Sequence, residues 1–214
     1  MKKNKNAVLI LLNYVIFVAL LLMIAIFSFT SKNFFRTSTM FTILKQVSIT
    51  GIVCIGQTMV MLTGGIDLSV GSVAGVSAVT AAIFLKSYNL PIPVTCILVL
   101  ILSLIYGLIS GFLAGIAGLV LLSRTSSGQP SAGSGYEMDA ITAVVLGGVS
   151  LNGGEGKLHM VVIGMLIMGV LTTGMIMCGI NDYVQQFVKG IVLILAVAYS
   201  EISKKIRSRM IVTE

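Results

Sequence analysis

Apolar residues run along this chain in long blocks, without the two-residue or 3.6-residue alternation of a half-solvated strand or helix, and polar positions collect between the blocks. A bilayer core of about 30 Å needs roughly 20 apolar residues in a helix, so the blocks predict membrane spans. Lys2, Lys3 and Lys5 precede a first block, residues 7–29, that is apolar except for Asn13, Tyr14 and Ser28. It is longer than the apolar part of a cleaved leader and has no A-x-A-like site, which predicts a retained signal anchor. Ser31 to Lys45 is polar enough to leave the membrane but carries Phe34, Phe35, Met40, Phe41, Ile43 and Leu44, which predicts a segment lying in the interface. Val47 to Thr63 and Leu68 to Leu85 are apolar on either side of Gly64, Gly65, Ile66 and Asp67. Lys86 to Pro93 reads as a turn. Ile92 to Leu122 is then apolar throughout, about 46 Å as one helix and longer than one crossing, with Gly107, Gly111, Gly115 and Gly118 as places to bend or break.

Residues 123–139 form a loop by their Gly, Ser and Pro content, and Ala140 to Gly154 is too short to span comfortably. Leu158 to Ile180 and Tyr183 to Ser200 complete the apolar set, and residues 201–214 hold Lys204, Lys205, Arg207 and Arg209 as a basic tail. If both basic ends are cytoplasmic, full crossings must be even in number. The expectation is therefore an all-α polytopic membrane protein, one domain over residues 1–214, with six full spans and a broken or re-entrant helix at 140–154. Counting 92–122 twice is the competing solution. Lys32, Arg36 and Lys45 weigh against this sidedness.

Composition narrows the class. Charged residues are 10% of the chain and the mean hydropathy is +1.06, too few ionisable side chains to cover a soluble globule. The net charge of +7 is no nucleic-acid signal, because seven of the 14 basic residues lie in the two tails, where lipid headgroups explain them. Cys54, Cys96 and Cys178 lie in apolar blocks without C-x-x-C spacing and read as small buried residues.

A short repeat carries the candidate chemistry. Gly64 to Gly71 and Gly147 to Gly154 both read G-G-[IV]-x-L-x-x-G, each after an apolar stretch. Glycine pairs break helices, and a break inside a membrane survives where it is buried in protein or lines a cavity. Transporters build central sites from such half-helix ends, which makes Gly64, Gly65, Asp67, Ser69, Gly71, Gly147, Gly148, Ser150 and Asn152 candidate pathway residues; the plain alternative is glycine packing. Asp67 is the single acid between Gln46 and Leu85. It can cap the helix that follows by accepting from the Ser69 or Val70 N–H, contact a solute, or do both. The spacings of Gly107, Gly111 and Gly115 and of Gly71 and Gly75 suit close helix packing, whereas Gly164, Gly169, Gly174 and Gly179 recur every five residues and share no face.

Catalytic readings fail on spacing. Gly153 to Lys157 resembles the end of a phosphate loop, but Leu151 and Leu158 stand where Gly and Ser or Thr are required. Glu155 and His159 lack a third metal ligand, and Asp139 and Asp182 sit at segment ends rather than opposite Asp67.

The stretch GQTMVMLTGGIDLSVGSVAGVSAV, Gly56 to Val79, resembles the signature of the sugar permeases of bacterial ABC importers. Ser123 to Gly156 resembles the second signature of that family and Asp182 to Val197 its last helix. The resemblance implies a subunit that performs no covalent chemistry, works as a homodimer or paired permease, receives sugar from a periplasmic or lipid-anchored binding protein, and is driven by ATP bound on a cytoplasmic ATPase subunit. Family permeases are longer, with more spans and an acidic-alanine loop that docks the ATPase. Here two pieces resembling different helices join near Ser110 and Gly111, as across an internal deletion. A shortened, transport-incompetent or regulatory remnant is thus the alternative to a working importer, and an ion-coupled transporter would need more buried carboxylates than Asp67.

Overall fold

The structure, a computed structural model, describes the backbone of residues 2–211 and the side chains of residues 14–206 apart from residue 130. Its helices are α1 (Lys2–Thr30), α2 (Thr37–Leu62), α3 (Val70–Lys86), α4 (Ile92–Tyr106), α5 (Leu108–Thr125), α6 (Tyr136–Leu146), α7 (Leu158–Met177) and α8 (Asp182–Ile211), with a 3-10 turn at Pro130–Gly133. No strand occurs among the described residues. Thr37–Leu62, Leu108–Thr125, Leu158–Met177 and Asp182–Ile206 are long and apolar enough to cross a membrane; Tyr14–Thr30, Val70–Lys86 and Ile92–Tyr106 are shorter apolar helices. The chain is an all-helical polytopic membrane protein.

The centre of the bundle is α7, packed on α1, α2 and α6. Its glycines explain how one helix serves three neighbours. A Cβ at Gly164 would overlap the Ala143 carbonyl of α6, one at Gly169 the Val47 side chain of α2, and one at Gly174 would stand 2.5 Å from the Phe27 ring of α1. Gly179 follows the helix with φ +71°. A five-residue step turns the face by about 140° at 3.6 residues per turn, so Gly164, Gly169 and Gly174 each meet a different partner, Gly179 has nothing near its Cβ position, and the four share no seam. Because Gly51 lies beside Met165 and Gly169 beside Val47, α2 and α7 run antiparallel, and the core between them and α6 holds fully buried Ile49, Val53, Ala140, Val144 and Val161.

Three expectations need correction. The segment at 31–45 does not lie apart as an interfacial element: from Thr37 onward it is the start of the continuous α2, with Ile43 and Gln46 buried in the bundle. Packing against α5, α6 and α7 overrides its polarity. The block 92–122 is two helices, joined at Gly107 in an extended conformation with φ 173° and ψ 124°. They fold back on each other, with Gly111 of α5 against the Ser103 carbonyl of α4, so the described helices number eight rather than seven. The loop expected at 123–139 is shorter, since α5 continues to Thr125 and α6 begins at Tyr136. The half-helix expectation stands: α6 has 11 residues, about 16 Å, well short of a bilayer core. The basic residues of the tails lie at or beyond the limits of the described side chains, except Lys204 and Lys205.

Candidate functional site

Both glycine pairs end helices by the same device. At the end of α2, the Gly64 N–H donates to Met61 O at 3.0 Å and the Gly65 N–H to Val60 O at 3.1 Å, with Gly64 at φ +86°. At the end of α6, the Gly148 N–H donates to Val145 O at 2.9 Å and the Val149 N–H to Val144 O at 3.2 Å, with Gly148 at φ +79°. This is the Schellman cap, which satisfies free carbonyls and places a glycine in the left-handed region. The two copies are one residue out of register with the sequence repeat. Gly147 takes the conformation of Thr63, the last right-handed residue before the cap, while Gly148 matches Gly64.

The capped ends meet. The Gly154 N–H donates to Leu62 O, a carbonyl at the end of α2, at 2.9 Å. A Cβ on Gly153 would stand 2.8 Å from Gly64 N, and Gly64 lies against the Asn152 carbonyl. The loop after α6 is closed by Ser150, whose N–H donates to Glu155 O and whose hydroxyl accepts from the Asn152 N–H at 3.1 Å and from Lys204 Nζ. Gly147 is pressed against the backbone of Val161 in α7, whereas Gly148 faces open space.

The other predicted residues form a second group. Asp67 Oδ1 accepts from the Ser69 N–H at 2.8 Å and the Ser69 hydroxyl at 2.6 Å, so the expected bond to Ser69 is present, but it closes a turn on the connector: α3 begins at Val70, with Ser69 as its N-cap and no side-chain cap. Asp67 is on the connector between α2 and α3, outside the helices. Partial burial pushes its carboxyl up, and hydrogen bonding from the Ser110 side chain and from Ser69 more than offsets this, leaving it below the usual carboxylate range. Gln57, fully buried in α2, holds the same connector. With its amide nitrogen toward Asp67, it donates to Asp67 O at 2.9 Å and accepts from Asp67 N at 3.3 Å. Gly71 stands against the Glu137 carboxylate and Gly133 O, on the side of α3 that faces the start of α6. The nine predicted residues thus divide between a junction, Gly64 and Gly65 with 147–154, and a connector closed by the Asp67–Ser69 turn, with Gly71 beyond.

Sequence reasoning passed over the polar residues that hold these groups. Gln57 is a lone amide in an apolar run. Lys189 is a lone charge inside the apolar block of α8, and its Nζ pairs with Asp139 Oδ2 of α6 at 2.8 Å, with Asp139 only 3% exposed. Arg124 of α5 donates to Gln46 Oε1 of α2 at 2.6 Å. A polar residue inside an apolar block is the signal that finds all three contacts. Glu137 Oε2 and Asp139 Oδ1 are buried without a hydrogen-bond partner. Among the described residues no group of three His, Cys, Asp or Glu side chains is placed to hold a metal ion.

The family model described as "Branched-chain amino acid transport system / permease component" matches residues 39–109 and 101–197, which takes in both capped helix ends. The chain belongs to this permease family. Among its relatives is the ribose import permease protein RbsC of Escherichia coli (strain K12), 30% identical over 291 residues, covering 84% of this chain and 91% of the relative. RbsC of Bacillus subtilis (strain 168) is 29% identical over 290 residues, covering 85% of this chain and 90% of that relative. The L-arabinose transport system permease protein AraH of Escherichia coli (strain K12) is 40% identical over 117 residues, 55% of this chain and 34% of that relative. These relatives support the resemblance to sugar ABC permeases. No solved structure matches. The alignment with the first RbsC extends over 291 residues, whereas 84% of 214 residues is about 180, so about 110 aligned positions of this permease have no counterpart here. The two stretches matched by the family overlap at 101–109, around Gly107 and just before the expected junction at Ser110 and Gly111.

Proposed function

We propose that the chain is the membrane subunit of an ABC importer for a monosaccharide or similar small polar solute. The observation that carries this reading is the family match over both capped helix ends, with relatives named for ribose and L-arabinose. The permease family is not an enzyme family, and the failed phosphate-loop spacing at Gly153 to Lys157 leaves ATP to a separate cytoplasmic ATPase subunit. A periplasmic or lipid-anchored binding protein delivers the solute, and a second copy or a paired permease completes the pathway in the inner membrane, with both termini cytoplasmic. Gly64, Gly65, Asp67, Ser69, Gly71, Gly147, Gly148, Ser150 and Asn152 are proposed to line or shape that pathway. The short α6, with the loop after it resting on the end of α2, is an element that a transporter can separate and rejoin during alternating access.

One observation favours a second reading. The gap of about 110 positions in the alignment with RbsC, together with the overlap of the two family matches at 101–109, fits a shortened permease that keeps the fold but does not transport. Co-expression with an ABC ATPase subunit and a periplasmic sugar-binding protein, purification in detergent and ATP-dependent uptake of labelled D-ribose and L-arabinose into vesicles separate the two. Co-purification with uptake supports the importer; a folded chain that associates with no ATPase subunit overturns it in favour of the remnant.

A further inference from the structure

Charged residues are scarce in this chain, yet three of its seven acids gather at one place. Glu137 and Asp182 line a cavity of about 640 Å³ between the start of α6, the start of α8 and the loop around the 3-10 turn, and Asp139 stands directly behind its Lys189. Ser131, Ser134, Gln185 and Gln186 add further polar groups to the wall. Most of the lining residues are polar or charged, in a protein whose other surfaces are largely apolar. This cavity is remote in sequence from the glycine junction and shares no lining residue with it.

The kinds of groups present select a ligand class. Carboxylates accept hydrogen bonds from hydroxyls, often two adjacent ones at once, while an ammonium and primary amides donate to hydroxyl and ring oxygens. An anion meets two carboxylates. A divalent cation finds no cluster of three suitable ligands among the described residues, and the third acid, Asp139, is already bound to Lys189. A neutral solute carrying several hydroxyls satisfies both signs of group without adding a charge. Lys189 is held from behind by the almost fully buried Asp139, which fixes the ammonium at the wall.

We propose that this cavity is a binding site for a neutral polyhydroxylated solute in the permease chain itself, with Asp182 as acceptor and Lys189 and Gln186 as donors. The site rests on the permease reading for its biological meaning, but its occupancy is tested without transport. The full chain in lipid nanodiscs is titrated with tritiated D-ribose and L-arabinose in a scintillation proximity assay, alongside Gln186→Ala and Ser134→Trp. Both substitutions are at exposed positions of the cavity wall, one removing an amide and the other filling the space. Monodisperse elution and an unchanged helical spectrum establish that each variant is folded; if one is not, the other carries the test. Saturable binding of at least one sugar, weakened by about tenfold or more in the folded variants, is expected, since losing a hydrogen bond to a charged or polar partner changes affinity by that order. Binding that is equal in wild type and folded variants overturns the site, and so does the absence of saturable binding at millimolar sugar. Either negative result alongside ATP-dependent uptake overturns this site alone and leaves the importer standing.

Discussion

Asp67 shows at the level of one residue how a costly group in an apolar chain is made tolerable. Its carboxylate accepts from the Ser69 N–H and hydroxyl, and the Gln57 amide bonds its backbone. Asp67→Asn keeps an acceptor oxygen for the turn, whereas Asp67→Ala removes it and is expected to cost about 1–2 kcal/mol, read as a lower thermal midpoint in detergent. The pH dependence has a definite sign. A carboxyl held below its unfolded value contributes stability that is complete above the ordinary aspartate pKa of about 3.9 and is lost as pH falls through the lower folded value. Wild type is therefore expected to exceed Asp67→Asn in thermal midpoint at neutral pH, with the difference closing in acid. A difference that is constant down to pH about 3 contradicts the role assigned to the charge. The Asp67–Ser69 hydrogen bond was legible from sequence because it is local, although it closes a turn ahead of α3 instead of capping the helix. Gln57 was not, because its partner is reached only after the chain reverses at Gly64.

Among the elements, the approach of α3 to the start of α6 depends on Gly71. A Cβ there would overlap the Glu137 carboxylate and stand 2.7 Å from Gly133 O, a backbone atom that cannot rotate away. Gly71→Ala is expected to destabilise by about 1–3 kcal/mol as the 3-10 turn and α6 shift, in spite of the better helix propensity of alanine. Gly190→Ala on α8 is the matched comparison, since nothing lies within 4 Å of its Cβ position, and it is expected to be neutral or stabilising. Equal thermal midpoints for the two variants count against the close approach. Most element types were readable from apolar block lengths, and so was a short element in the block 140–154, but its bounds were not: α6 begins at Tyr136 and ends at Leu146, before the glycine pair. The register of the glycine repeat was not. A Schellman cap is defined by which residue turns left-handed, and the sequence offers two adjacent glycines of which either qualifies; α2 uses the first and α6 the second. The separate interfacial segment expected at 31–45 failed because α2 already begins at Thr37 and runs unbroken to Leu62, with Thr39 and Ile43 on its buried side and most other polar side chains of the segment at the surface.

At the scale of the whole molecule the unusual feature is the joint at Gly107, a single residue between two apolar helices, which lies where the two stretches matched by the family overlap. The length of the block 92–122 announced a problem from sequence alone, but its resolution into two helices came from packing. The hairpin does not depend on the brevity of its turn: α5 is held by α2 and α3 as well as by α4, and Gly111 meets Ser103 across the pair. Tyr106 and Leu108, on either side of the joint, are 64% and 82% exposed, so added chain has somewhere to go. Inserting a flexible Gly/Ser segment of about ten residues after Gly107 should then cost only loop-closure entropy, about 2 kcal/mol. The variant is expected to elute as a folded species in detergent with a helical spectrum like that of the parent and a thermal midpoint lower by a few degrees. Aggregation or loss of helix on insertion would show instead that the direct junction holds the bundle together. The first outcome describes a fold whose halves stand on either side of a site that accepts added chain; the second describes a chain that has become committed to its shortened form.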